Sequence, residues 1–322
     1  MGEHLRVAVL DDYQSAAAAA ADWSLLGHDT DIDFLHERFS DPDALVSRLR
    51  GHQVVVVNRE RTPFPASVLE RLPDLRLLVT TGPSNPAVDL HRAAELGITV
   101  SGTGGMSALY GTVEHTWALI LAAARHITAE DRATRAGSWQ TTVGLDLHGR
   151  RLGLLGLGNV GSRVARLGAA FGMDVMAWSP NMTAERAARH GARALPLDEL
   201  LASADVVSVH LKLGQRSHGV IGAHELALMR PTSILVNTAR GLIVDETALA
   251  DALHAGTIGA AAVDVYSTEP APSDNPLRTA PRCTLSPHLA FVTQTTYREF
   301  FGNAVEDILA WRRGEPIRVL HA

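Results

Sequence analysis

Cysteine is almost missing from these 322 residues, with Cys283 standing alone. No intrachain disulfide can form, which excludes the disulfide-stapled secreted scaffolds and fits a reducing cytoplasm. Cys283 lies in "PRCTLSPH" and reads as a small apolar residue at a strand start rather than a catalytic thiol. Long basic runs are also missing. With 29 Lys and Arg against 35 Asp and Glu, the formal net charge is −6, so the footprint of a nucleic-acid binder is absent. The longest obvious apolar stretch, "WALILAAA", is too short to span a bilayer. The opening "MGEHLRVAVLDDY" lacks the basic-then-apolar layout of a secretion signal. The expectation is a cytoplasmic protein with no membrane and no nucleic-acid partner.

What is present is a chain able to bury a core, 46% apolar and 20% charged, of a length that fits two domains of roughly 100–200 residues each. The first part alternates β-branched runs ("LRVAVLDD", "IDFLHER", "QVVVVN", "LRLLVTT", "ITVSGT") with helical patterns. These include the alanine tract after Ser15 and "DPDALVSRLR", where Asp41 is placed to cap and Pro42 to open the helix. "QVVVVN" is apolar throughout, as a strand covered on both faces must be. A long helix is expected over roughly 110–136, followed by a polar arm, "AGSWQTTVGLDLHGR". Further βα units run through "RLGLLGLGNVG", "DVVSVHL", "TSILVNT", "GAAAVDVY" and "CTLSPH". The terminal segment "TYREFFGNAVEDILAWRRG" places Tyr297, Phe300, Phe301, Ala304, Val305 and Ile308 at helical spacing. Strand–helix alternation predicts parallel sheets with helices on both sides, in two successive α/β domains.

"GLGNVG" sets Gly156, Gly158 and Gly161 in the G-x-G-x-x-G pattern between an apolar strand and a helix. Gly156 permits the tight turn, Gly158 lets the backbone approach a pyrophosphate, and Gly161 lets the helix pack on the strand. Asn159 and Val160 complete the turn, and the helix N-terminus offers amides and a positive dipole end to phosphates. A plain tight βα turn is the alternative. The next strand ends at Ser179, followed by Pro180 and Asn181, with no carboxylate for a ribose 2′-hydroxyl. Both NAD and NADP are therefore open, with NAD slightly favoured because no basic residue sits at the strand end and Arg186 lies further on.

Three more strand ends carry chemistry-bearing residues: "NTARG" with Arg240, "VDVYSTEP" with Glu269 and "LSPHLAFVT" with His288. In open parallel sheets, ligands bind at such carboxyl ends. Together, "GLGNVG", "LVNTARGLIVDETAL", "AAVDVYSTEP" and "SPHLAFVT" resemble, in order and separation, the D-2-hydroxyacid dehydrogenase family, over essentially the whole chain. The resemblance implies a Rossmann-type cofactor domain, residues 105–291, inserted into a flavodoxin-like substrate domain, residues 1–104 plus 292–322. It implies a small 2-keto or 2-hydroxy acid as substrate and a homodimer as the assembly.

Under that resemblance Arg240 would bind the substrate carboxylate in a fixed fork and polarise its carbonyl. Gly241 would leave room for the chain to turn. His288 would protonate the alkoxide, and Glu269 would hold the other ring nitrogen and favour imidazolium. A loop-tying role for Arg240 and a capping role for His288 are the alternatives. Formate dehydrogenases of this architecture have Gln where Glu269 stands, so formate oxidation is disfavoured. The family pattern also assigns Asp264 to the nicotinamide carboxamide, Thr112 to a phosphate, and the loop with His210 to the adenosine. Thr238 and Ala239 join them at the cofactor edge. Gly82, Pro83 and Ser84 correspond to the loop whose amides meet the substrate carboxylate, although Pro83 lacks an N–H.

Arg59 and Arg61 either meet a further anionic group or pair with Glu60 and other acids. Trp139, in the arm, either enters a partner's pocket or packs at an interface. Glu114 and His115 form no metal site by spacing, and no metal is expected. The expected activity is reduction of a glyoxylate- or hydroxypyruvate-like keto acid. D-3-phosphoglycerate dehydrogenase activity and a non-catalytic, NADH-sensing, corepressor-like role are the rivals.

Overall fold

Four-residue strands such as Val54–Val57 and Ile234–Asn237, the second aliphatic up to its final Asn237, are buried along their whole length, because helices cover both faces of each sheet. The computed structural model describes residues 4–322. The chain divides into two units, Met1–Ala108 with Val292–Ala322, and Leu109–Phe291.

The first unit carries β1 (Leu5–Val9), β2 (Thr30–Phe34), β3 (Val54–Val57), β4 (Leu77–Thr80) and β5 (Thr99–Gly102). They form one parallel sheet in the order β2-β1-β3-β4-β5, the flavodoxin-like order. Asp41 caps the helix Pro42–Leu49 by accepting from the Asp43 amide, with Pro42 opening it as expected. The terminal helix, Gln294–Arg312, buries the predicted set of Tyr297, Phe300, Phe301, Ala304, Val305 and Ile308. Phe301 meets Trp23 and Tyr297 edge-on or tilted. The same helix caps the start of the helix Met106–Ala124, where Glu299 accepts from the Met106 and Ser107 amides. Asn303 accepts from the Gly104 amide. Arg318 ties the tail back by donating to Asp307, at 2.9 Å, and to Glu306.

The second unit carries β6 (Arg151–Leu155), β7 (Asp174–Trp178), β8 (Arg193–Ala194), β9 (Val206–Val209), β10 (Ile234–Asn237), β11 (Ala260–Val263) and β12 (Cys283–Leu285). Their order is β12-β11-β10-β9-β6-β7-β8, all parallel. Counted from β6 this is the dinucleotide-binding order 3-2-1-4-5-6 with one strand added. Both units are thus doubly wound α/β sheets, the second of Rossmann type.

The structure corrects three expectations. The single helix over 110–136 is two, Met106–Ala124 and Ile127–Arg135, with His126 left-handed between them. The carbonyl of Ala124 accepts from the Leu145 amide at 2.7 Å, so the arm takes a bond that a continuous helix would use. The alanine tract makes only one turn, Ala17–Ala20, of which Ala17 alone is buried; propensity without an apolar face to bury does not sustain a helix. The strand expected at "IDFLHER" begins earlier, at Thr30, and stops at Phe34. Among the described residues, no helix is long and apolar enough to cross a membrane and no group of His, Cys, Asp and Glu could hold a metal.

Candidate active site

The glycine turn follows β6 at the switch point between β6 and β9, where the connections diverge to the two halves of the sheet. Gly156 has φ +103° and a Cβ there would lie 2.7 Å from the His210 carbonyl oxygen. A Cβ on Gly161 would collide with the Gly156 carbonyl. Both glycines are thus required by the chain's own packing. Gly158 is not: its φ is unexceptional and an added Cβ would meet nothing within 4 Å. Space beside a bare backbone, next to the N-terminus of the ten-residue helix Gly161–Ala170, is what a pyrophosphate needs. Val160 is the N-cap of that helix, and the Asn159 carbonyl accepts from Arg163. His210 follows β9 and bonds Ser208 Oγ at 2.9 Å. Burial lowers its imidazole to about 4, so the ring beside this turn is neutral across the physiological range.

Ser179 follows β7. Asn181, two residues on, accepts from Arg216 at 3.0 Å. Arg216 comes from the loop after β9, so a guanidinium does stand at this strand end although none is adjacent in sequence.

Arg240, Glu269 and His288 lie beyond the carboxyl ends of β10, β11 and β12, three neighbours in the sheet. The Asn237 side chain accepts from the Ala239 amide and donates to the Arg240 carbonyl, and Arg240 donates to the Ala239 carbonyl. Thr238 bonds Thr116 Oγ1 at 2.8 Å. Gly241 is indispensable here, because a Cβ would collide with the backbone of Tyr266 and Ser267. The turn after β10 therefore rests directly on the loop that leads to Glu269.

Glu269 is shared between two partners. Its Oε1 accepts from the Tyr266 amide at 2.9 Å and its Oε2 lies 2.6 Å from His288 Nδ1. His288 holds a left-handed conformation, φ +54°, which is uncommon outside glycine and points to function when the surroundings enforce it. The ring edge also faces Phe291, with centroids 5.5 Å apart. Asp264 is fully buried and binds the same loop: its two carboxylate oxygens accept from the Leu289 and Ala290 amides, and its carbonyl from the His288 amide. Full burial leaves Asp264 no role as a solvent-exposed cap. Thr112 lies in the second turn of the helix Met106–Ala124, and its carbonyl accepts from Thr116.

Within the first unit, Gly82 has φ +97° and its amide is held by Thr103 Oγ1 at 2.6 Å. With Pro83 lacking an N–H, the exposed Ser84 is the member of the trio left to donate from its backbone. The Arg59 guanidinium lies against Gly82 and pairs with Glu60 at 3.5 Å. Arg61 donates to the Asp11 carbonyl and lies over the Tyr13 ring. In the second unit Trp139 is 78% exposed and Val143 92%, both on the arm that Glu130 fastens through Thr141 and Thr142. His115, set aside above as half of a metal pair, instead bonds Ser286 Oγ and lies 3.2 Å from Asp264 Oδ1; nothing in its local sequence marks that contact.

A Rossmann-type sheet with this glycine turn, and with a carboxylate–imidazole pair on the same edge, defines an NAD(P)-dependent dehydrogenase. Residues 117–290 match the family model described as D-isomer specific 2-hydroxyacid dehydrogenase, NAD binding domain. The glyoxylate reductase of Aeropyrum pernix is 39% identical over 257 residues, 77% of this chain and 76% of that protein. The D-3-phosphoglycerate dehydrogenase of Archaeoglobus fulgidus is 36% identical over 278 residues, 86% of this chain but 52% of that protein. This chain thus spans about half the length of that relative. The crystal structure of a phosphoglycerate oxidoreductase from Vibrio cholerae o395 superposes with a TM-score of 0.90 at 34% identity, covering 96% of this chain and 99% of that one. The chain belongs to the D-2-hydroxyacid dehydrogenase family.

Proposed function

We propose that this chain is a cytoplasmic, homodimeric reductase of small 2-keto acids of the glyoxylate and hydroxypyruvate type, using NAD in preference to NADP, a preference supported by the match to an NAD binding domain and no longer by the β7 strand end, where Arg216 stands. The observation that carries the reading is the Glu269–His288 pair, 2.6 Å apart, held beside the Arg240 turn at the carboxyl ends of adjacent strands. Gly156, Gly158, Asn159, Val160 and Gly161 would hold the pyrophosphate, with Thr112 on a phosphate. Ser179 and Asn181 would hold the ribose and His210 the adenosine side. Thr238, Ala239 and Asp264 would take the nicotinamide end. When bound, NAD(P)H supplies the hydride.

The protein's own residues do the rest. The Arg240 fork grips the carboxylate of the keto acid and polarises the neighbouring carbonyl oxygen. As that oxygen gains charge, His288 delivers a proton to it, and in the reverse direction removes it. With Nδ1 taken by Glu269, Nε2 is the nitrogen for this transfer. The exposed Trp139 and Val143 support the homodimer, since large apolar side chains standing in water mark an interaction surface. The single cysteine supports the cytoplasmic placement.

The similarity to D-3-phosphoglycerate dehydrogenases, with Arg59 placed against Gly82, supports a phosphorylated substrate as the second reading. One assay separates the readings: initial rates with glyoxylate, hydroxypyruvate and, in the oxidative direction, D-3-phosphoglycerate, each with both cofactors. Turnover of either small keto acid at the higher kcat/KM is the expected outcome. A clear preference for D-3-phosphoglycerate selects the second reading, and no turnover with any of them supports a cofactor-sensing role instead.

A further inference from the structure

His115 and Thr116 are consecutive on the helix Met106–Ala124, and between them they reach the ends of three adjacent strands. Thr116 bonds Thr238, just past β10. His115 Nε2 lies 3.2 Å from Asp264 Oδ1, just past β11, and 2.9 Å from Ser286 Oγ, just past β12. These ends lead to Arg240, Glu269 and His288 respectively. The helix is itself fixed by Val113, Trp117 and Ile120, buried in the core of the second unit, so it is a firm place from which to brace them.

The loop so braced is the one that needs it. His288 is left-handed, a backbone state that a non-glycine residue keeps only when its neighbours enforce it. The enforcing bonds all converge on two residues. Asp264 accepts from the amides of His288, Leu289 and Ala290, the first through its carbonyl and the others through its carboxylate. Ser286 donates its amide to the Val263 carbonyl and accepts from Tyr266 Oη at its own carbonyl. The Tyr266 amide in turn holds Glu269. His115 is the side chain that touches both Asp264 and Ser286. Its ring edge lies against the same carboxylate whose two oxygens hold the Leu289 and Ala290 amides that follow His288.

We propose that His115 is a positioning residue for His288, acting through Asp264 and Ser286. The inference rests on the reading of His288 as the proton donor. It differs from that reading in what it expects of residue 115, which lies outside the Arg240, Glu269 and His288 trio.

The test uses the intact protein with three variants. His115→Ala should lower kcat on the order of 10–100-fold, the scale of a group displaced by about 1 Å. The KM for the keto acid should stay within about threefold of wild type, and NADH affinity, read by fluorescence, is followed separately because Asp264 is also placed at the nicotinamide end. His115→Gln places a side-chain amide nitrogen near the Nε2 position and should recover most of kcat. Ser286→Ala, which keeps the Tyr266 bond to the Ser286 carbonyl, should show a smaller loss. Combined with His115→Ala, it should add less than its separate effect. Amide hydrogen exchange supplies a readout independent of turnover: the amides of 288–290 should exchange faster in His115→Ala and return toward wild type in His115→Gln. Unchanged exchange there, with kcat within about twofold, overturns the proposal, as does an equal loss in the Ala and Gln variants. If the His115 variants do not fold, an unaltered kcat in Ser286→Ala overturns it. A wild type that turns over no keto acid refutes the functional reading instead, and exchange at 288–290 still decides whether His115 fixes the loop.

Discussion

Replacing Glu269 by Gln removes a charge without changing shape, and its effect follows from the two bonds the carboxylate makes. Oε1 faces an N–H of Tyr266 and Oε2 faces His288 Nδ1. A carboxylate satisfies both as acceptor, whereas an amide has one accepting end. If its oxygen faces Tyr266, its NH2 meets His288 and requires Nδ1 to be unprotonated, so the imidazolium loses its partner. If its oxygen faces His288, its NH2 opposes the Tyr266 N–H, which is left unpaired at a cost of about 1–3 kcal/mol. The charge term is of similar size. Unit charges about 4 Å apart interact by about 1 kcal/mol in water and about 4 kcal/mol at an effective dielectric of about 20. With side chains 26% and 34% exposed, the pair lies between these limits, near roughly 2 kcal/mol. At about 1.4 kcal/mol per decade, the loss is about 10–100-fold in the proton-transfer step. The assay is the initial rate of NADH consumption with saturating keto acid, together with KM and the NADH dissociation constant. The expected result is a fall in kcat of that size with both affinities within about threefold. A Glu269→Gln enzyme that keeps more than about half of wild-type kcat would refute the claim that Glu269 sustains the proton donor.

Gly158→Ala and Gly161→Ala should part company. The first adds a methyl into open space and should weaken NADH binding at least about tenfold while leaving the melting temperature near wild type. The second forces a backbone collision and should lower the melting temperature itself, so equal melting losses in both would count against a ligand at Gly158. Arg240→Lys keeps the charge but loses the fork, and the keto acid KM should rise about 10–100-fold; an unchanged KM would assign Arg240 to loop structure. Burial pushes the Asp307 carboxyl up to about 7, so the folded state retains a proton that the unfolded chain has already released. Stability should therefore decline from about pH 5 to pH 8, by on the order of 2–3 kcal/mol from this group. Asp307→Asn keeps an acceptor for Arg318 and should flatten that slope in denaturation curves; an identical slope would place the effect elsewhere.

Much of the fold was readable because the strands are short, continuous and apolar. "VVVV" and "AAAV" have no polar face to mislead, and the glycine turn sits where a strand pattern yields to a helical one. The convergence of Arg240, Glu269 and His288 on one sheet edge followed from parallel topology, which sends every strand's carboxyl end the same way. Apart from the alanine tract, where helix propensity found no apolar face to bury, and the shifted bounds of Thr30–Phe34, the illegible features depend on partners distant in sequence. The break at His126 carries no Gly or Pro signal, since it is set by Leu145 bonding to Ala124. Arg216 reaches Asn181 across 35 positions, and His115 reaches Ser286 across 171. The engagement of the Gly82 amide by Thr103 was equally invisible, because a hydroxyl 21 positions away leaves no local pattern.

The cap that Glu299 places on Met106 and Ser107, and the burial of Phe300 and Phe301, bear on the order in which the polypeptide matures on the ribosome. The stretch 109–291 is uninterrupted and can close its interior as soon as it has emerged. The amino-terminal sheet, although made first, must wait with part of its apolar surface uncovered until residues near 300 have been synthesised. The earliest-born half is thus the last to be completed, and it is the half on which a holding chaperone would act during translation.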